Sequence, residues 1–125
     1  MDLLEIEPTK SSPFVRMDAD TGNFEIGGES YPENSQDFFI PVIEWIENFL
    51  KNTDIPINLC VTLTYMNTSS TKYMIDILDK IEEAYEKGRK VKVKWSCDAD
   101  NDRALDTIEE LIEDFEMPFE VVSEE

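Results

Sequence analysis

Four hydroxyl-bearing residues stand in a row, Thr68, Ser69, Ser70 and Thr71, between an apolar run ending at Met66 and a helix-like pattern. One hydroxyl is enough to cap a helix, because Ser and Thr accept a hydrogen bond from an orphan first-turn amide. Four in a row admit two further chemistries. First-turn amides and the helix dipole favour an anion, so the loop could hold a phosphate. It lacks the Gly-rich backbone and the lysine of a phosphate loop, for which Lys72 is only a partial substitute. Alternatively, one hydroxyl could itself receive a phosphate. That adds about −1.5 to −2 charge at neutral pH. On a chain with net charge −18 the long-range field changes little, so such a switch would act locally on a partner docked over the loop.

The second candidate is acidic. Asp98, Asp100, Asp102, Asp106 and Glu109 fall at positions 1, 3, 5, 9 and 12 of a calcium loop, with Leu105 as the apolar position 8. Position 6 is Arg103 where the sharp turn wants Gly, and a strand precedes the run where a helix should enter. An acidic helix N-terminus accounts for the same residues. A calcium- or small-ligand-binding module using Asp98 to Glu109 is thus the rival reading. Asp18-Ala19-Asp20-Thr21-Gly22 is a weaker version of the pattern and fits a hairpin turn. Residues Asp98 to Glu125 hold twelve acids and one base, a solvated face or a docking surface for a basic partner.

Other chemistries are excluded. The chain has no histidine, which removes Ser-His-Asp and Cys-His nucleophiles and makes a zinc site poor. No metal ligand set, catalytic residue or cofactor is assigned. The 29 acids against 11 bases oppose nucleic-acid binding. The one basic cluster, Lys87 to Lys94, reads as a helix end followed by an alternating strand. Cys60 and Cys97 lie in strand-like runs and read as buried free thiols in a reducing cytoplasm. No apolar run approaches the roughly 20 residues of a membrane span, and the acidic start reads as no secretory signal.

The elements that must position these residues follow from periodicity. With 125 residues, 41% of them hydrophobic, the chain makes one domain, 1–125, with one core. Phe14–Met17 and Phe24–Ile26 read as strands around a turn at Asp18–Asn23, punctuated afterwards by Gly27-Gly28. A helix carries Phe39, Val42, Ile43, Ile46, Phe49 and Leu50, beginning near Ile40 or at Ser35 with a kink at Pro41. Ile57–Met66 is a central strand. The second helix runs from about Ser70 to Lys87, the next strand from Lys90 to Cys97, the third helix from about Asp102 to Glu116, and the last strand from Phe119 to Ser123. The order is ββαβαβαβ. In the strand at 90–97, Val91, Val93, Trp95 and Cys97 alternate with Lys90, Lys92, Lys94 and Ser96. Such a sheet has one apolar face, so the expectation is an α/β fold of two layers, a mixed sheet with three helices mainly on one side. Ile75 falls off the second helix's buried stripe.

The segments SSPFVRMDADTGNFEIGGESYPENSQDFFIPVIEWIENFL, LTYMNTSSTKYM and MPFEVV together resemble the SiaC family of regulatory phosphoproteins across nearly the whole chain. The resemblance implies a STAS-like fold and a cytoplasmic bacterial partner-switching protein that is not an enzyme. It implies phosphorylation of Thr68 by a serine/threonine kinase and its reversal by a PP2C-type phosphatase. The unmodified form would bind and activate an effector such as a diguanylate cyclase, in signalling that governs biofilm formation. The expected partner surface is Tyr65, Met66, Asn67, Ser69, Ser70, Lys72 and Ile75, with no nucleic acid or membrane involved.

Overall fold

The computed structural model describes residues 3–98 and 102–124. Among them run β1 (Leu4–Ile6), β2 (Phe14–Met17), β3 (Asn23–Ser30), α1 (Ser35–Asn52), β4 (Ile57–Met66), α2 (Thr68–Glu86), β5 (Val91–Asp98), α3 (Asp102–Ile112) and β6 (Phe119–Glu124). The six described strands form one sheet in sequence order. The first three are antiparallel neighbours, and β3 to β6 are parallel.

This order explains the two layers. Each parallel step moves to the next strand in the same direction. A right-handed crossover in each step then puts α1, α2 and α3 on the same face. Register does the rest. Leu4, Met17, Phe24, Leu59, Val93 and Phe119 make one transverse row, and Ile6, Val15, Ile26, Val61, Trp95 and Val121 make another. Both rows lie under the helices. The row between them, Glu5, Arg16, Glu25, Cys60, Lys94 and Glu120, lies on the opposite face, as strand alternation requires. The expected one-sided sheet is present, and the Lys92 and Lys94 cluster is the exposed face of β5.

The core is aromatic at its centre. Phe24 packs edge-on against Phe49 at 5.0 Å and Trp45 at 5.4 Å, while Phe39 of α1 stacks on Tyr73 of α2 at 5.4 Å. Arg89, after α2, closes the far end of α1. Its guanidinium donates to the carbonyls of Leu50, Thr53 and Ile55 and lies 5.4 Å above the Phe49 ring. The last carbonyls of a helix have no intrahelical donor, and this one side chain satisfies several neighbouring ones.

Three details correct the sequence reading, and the start of α1 decides between the two it left open. The order is βββαβαβαβ, because Leu4–Ile6 adds an edge strand against β2; three residues are too few for a legible alternation. Strand β3 runs through the two glycines to Ser30. Its register with β4 slips after Gly28, whose φ of 102° suits glycine. Helix α1 starts at Ser35 with Asn34 as its cap, keeping Pro41 inside. Pro41 has no N–H to give the Asp37 carbonyl, but it sits on the exposed side, where water can serve. Helix α3 stops at Ile112. The amides of Glu116 and Met117 turn instead to the Glu82 carboxylate on α2.

Candidate functional site at the head of α2

The C-terminal ends of β3 and β4 and the N-termini of α1 and α2 meet at one edge of the molecule. Asn67 is the pivot. Its backbone amide donates to the Ser30 carbonyl at 2.9 Å, tying the loop to β3. Its side-chain oxygen accepts from the Ser70 amide at 2.9 Å and its carbonyl from the Thr71 amide at 3.0 Å. The cap of α2 is therefore an asparagine, and the expectation that a hydroxyl performs the capping is corrected. The helix begins at Thr68, two residues earlier than periodicity suggested.

The four hydroxyls then separate by role. Ser70 is fully buried and accepts a hydrogen bond from the equally buried Ser30 at 2.8 Å. Ser69 bonds to Ser35, the first residue of α1, at 2.7 Å, and donates to the Asn67 side chain at 3.3 Å. The Thr71 hydroxyl returns to the Asn67 carbonyl at 3.0 Å. Thr68 is exposed, and its hydroxyl has no hydrogen-bond partner among the described residues. Three hydroxyls hold the loop in place; the fourth faces water from the first position of the helix.

Around Thr68 lies a shallow groove of about 400 Å³, walled by Thr68, Thr71, Lys72, Ile75 and Asp76. Lys72 and Ile75 thus come beside Thr68, as expected. Tyr65 is 53% exposed at the end of β4. Met66 and Asn67 are half-buried, and Met66 packs against the core. Ser70 departs from the expected surface set: its side chain points inward and braces the loop. Sequence reasoning missed Tyr31, Ser30 and Ser35. Tyr31 is 38% exposed, and its ring meets that of Tyr65 edge-on at 5.8 Å. The signal was the YPEN segment, 34 to 40 residues away from its partners, where no local period points.

The acidic candidate is placed differently. Residues 99–101 of the calcium-like run lie outside the described residues, and among the described residues no cluster of acids or cysteines is arranged to hold a metal. Asp79 carries a carboxyl raised above its ordinary value, first by burial and then by repulsion from Asp76, Glu82, Glu83 and Asp114. It sits eleven residues along α2 from Thr68, roughly 16 Å at helical rise, and does not join the loop. No described helix is long and apolar enough to cross a membrane.

Fold and loop together define a two-layer mixed α/β domain with an unengaged threonine at the carboxyl edge of its parallel strands. The chain belongs to the SiaC family of regulatory phosphoproteins, whose model matches residues 6–124. It is 43% identical to the protein PA14_02130 of Pseudomonas aeruginosa (strain UCBPP-PA14) over 97% of this chain and 96% of that one. It superimposes on apo-SiaC from Pseudomonas aeruginosa with a TM-score of 0.94 at 41% identity, covering 98% of this chain and 100% of the other. It also matches SiaC in a crystal structure of the diguanylate cyclase SiaD in complex with its activator SiaC, with a TM-score of 0.93 at 42% identity over 97% and 99% of the two chains.

Proposed function

We propose that this protein is a non-enzymatic switch whose unmodified form binds and activates a diguanylate cyclase, and whose phosphorylation on Thr68 ends that binding. The observation that carries the reading is the division of labour among the hydroxyls. Ser69, Ser70 and Thr71 are engaged in holding the loop, while the Thr68 hydroxyl is exposed and unbonded among the described residues. The similarity to an activator held on its cyclase supports the choice of partner.

The chemistry is carried by partner enzymes. A serine/threonine kinase transfers the γ-phosphoryl group of ATP to the Thr68 oxygen. The bond from the γ-phosphorus to the bridging oxygen breaks, and the hydroxyl proton passes to the kinase. A PP2C-type phosphatase uses water to split the ester, returning threonine and inorganic phosphate. In the free protein the phosphate sits at the N-terminus of α2, where the helix dipole favours it by about 0.3–1 kcal/mol. Under a docked partner the same charge must be desolvated, which a close-packed or acidic interface rejects. The test is binding of the cyclase to Thr68→Asp and Thr68→Ala proteins. Thr68→Asp is expected to lose binding and Thr68→Ala to keep it; equal binding by both would overturn the switch.

A further inference from the structure

We propose that Lys72 is the internal counter-ion of a phosphate on Thr68, so that phosphorylation also withdraws the one cation lining the groove beside it. The inference rests on Thr68 being the acceptor. Thr68 and Lys72 are one helical turn apart, both exposed, and both wall the same groove. Side chains on a helix lean towards its N-terminus, so the long Lys72 stem reaches back over the turn that begins with Thr68. Acid first and base four residues later is the favoured order for such a pair. Lys72 has no ion pair or hydrogen bond among the described residues. The competing acid is Asp76, one turn further on in the same groove, but it stands in the unfavoured order and lies beyond ion-pair distance of Lys72.

Two consequences follow. In the unmodified protein Lys72 is free to meet an acidic group of the effector. After phosphorylation the ammonium is occupied, so the groove changes from one cation and one acid to an internally paired cation, a partly neutralised phosphate and Asp76. The switch then works by removing an attraction as well as by adding a repulsion. Lysine is suited to this, because its ammonium is a compact charge on a flexible stem that can choose between partners.

The decisive experiment uses the full chain with phosphothreonine encoded at position 68, so that no kinase is required. A phosphorus NMR titration reads the second ionisation of the phosphate in wild type, Lys72→Met and Lys72→Arg. Wild type and Lys72→Arg are expected to titrate roughly 0.2–0.4 pH unit below Lys72→Met, the span that a pair of this spacing supports. Added salt should close the gap. Equal titration of wild type and Lys72→Met would overturn the proposal. Thermal melting of the exposed-site variants confirms that each is folded. The outcome separates cleanly from the switch itself: if Thr68→Asp and Thr68→Ala bind the cyclase alike, the proposed function falls, while the titration still decides what Lys72 does.

Discussion

Ser35 and Ser69 share a hydrogen bond of 2.7 Å across 34 positions of sequence, joining the first turn of α1 to the first turn of α2. With Ser69 donating to the Asn67 side chain, Ser35 is the donor in this pair. Ser30 and Ser70 repeat the arrangement one layer deeper, between β3 and α2. The head of α2 is thereby fixed from two sides, and Thr68 is presented on a rigid base. The phosphate proposed for this position would alter the surface without needing the fold to rearrange.

The braced loop should respond unevenly to the loss of its hydroxyls. Ser30→Ala leaves the buried Ser70 hydroxyl without its donor, and about 1–3 kcal/mol of stability should be lost. Asn67→Ala removes the cap and should cost about 0.5–2 kcal/mol. Thr68→Ala should stay within roughly 0.5 kcal/mol of wild type, since none of the described residues holds that hydroxyl. Urea denaturation of the three variants measures the ranking, and a Thr68→Ala as damaging as Ser30→Ala would contradict the assignment of roles.

Arg89 is the strongest single polar tie at the opposite pole. Substituting methionine keeps much of the stem packing and strips the donors from the Leu50, Thr53 and Ile55 carbonyls. A loss of about 1.5–3 kcal/mol is expected in a chemical melt, in line with hydrogen bonds made by a charged group. Arg89→Lys should rescue little of it, because one ammonium cannot present a planar fork to several carbonyls. Cyclase binding by the residual folded Arg89→Met protein should be unchanged, since the site lies at the other end of the parallel strands.

Gly22 turns the β2–β3 hairpin with a φ of 76°, its amide donating to the Asp18 carbonyl at 2.9 Å. A Cβ at this position would come within 1.9 Å of the Pro56 carbonyl oxygen. Gly22→Ala therefore meets both an unfavourable conformation and a backbone clash. More than about 1 kcal/mol should be lost, and the melting temperature should fall by several degrees.

The pH dependence of Asp79 has a definite sign. Its carboxyl is raised in the folded protein, by burial and by the acids around it, so the unfolded chain ionises it more readily. Its unfavourable charge is absent below the unfolded value of 3.8 and develops as pH rises through the folded value. Asp79→Asn should thus be more stable than wild type at neutral pH and lose that advantage as pH falls to about 3.8 and below. Melts from acid to neutral pH would show the two curves converging at the acid end. An advantage that persisted at pH values well below 3.8 would contradict the cause.

Much of the frame was legible because burial imposes a period. Alternation along 57–66 and 90–97 identifies strands and the face each residue takes. Helical spacing in α1 and α2 identifies the stripes that cover that face. The strand β1 and the early end of α3 were not legible. Three residues carry no period, and the end of α3 depends on Glu82 of another helix receiving the Glu116 and Met117 amides.

The sequence alone determined a one-sided α/β sheet, a hydroxyl cluster at the carboxyl end of its central strand, and a family resemblance centred on that cluster. These are local properties: each rests on residue types within a turn or a strand of one another. Tertiary structure decided which hydroxyl is free. Ser30, Ser35 and the Tyr31 ring reach the loop only because β3 lies beside β4 and α1 beside α2, and a hydroxyl's hydrogen bonds depend on what stands within about 3 Å of it. Residue type alone did not separate Thr68 from Ser70, and only the resemblance pointed to Thr68; in the fold one faces solvent and the other is sealed in the core.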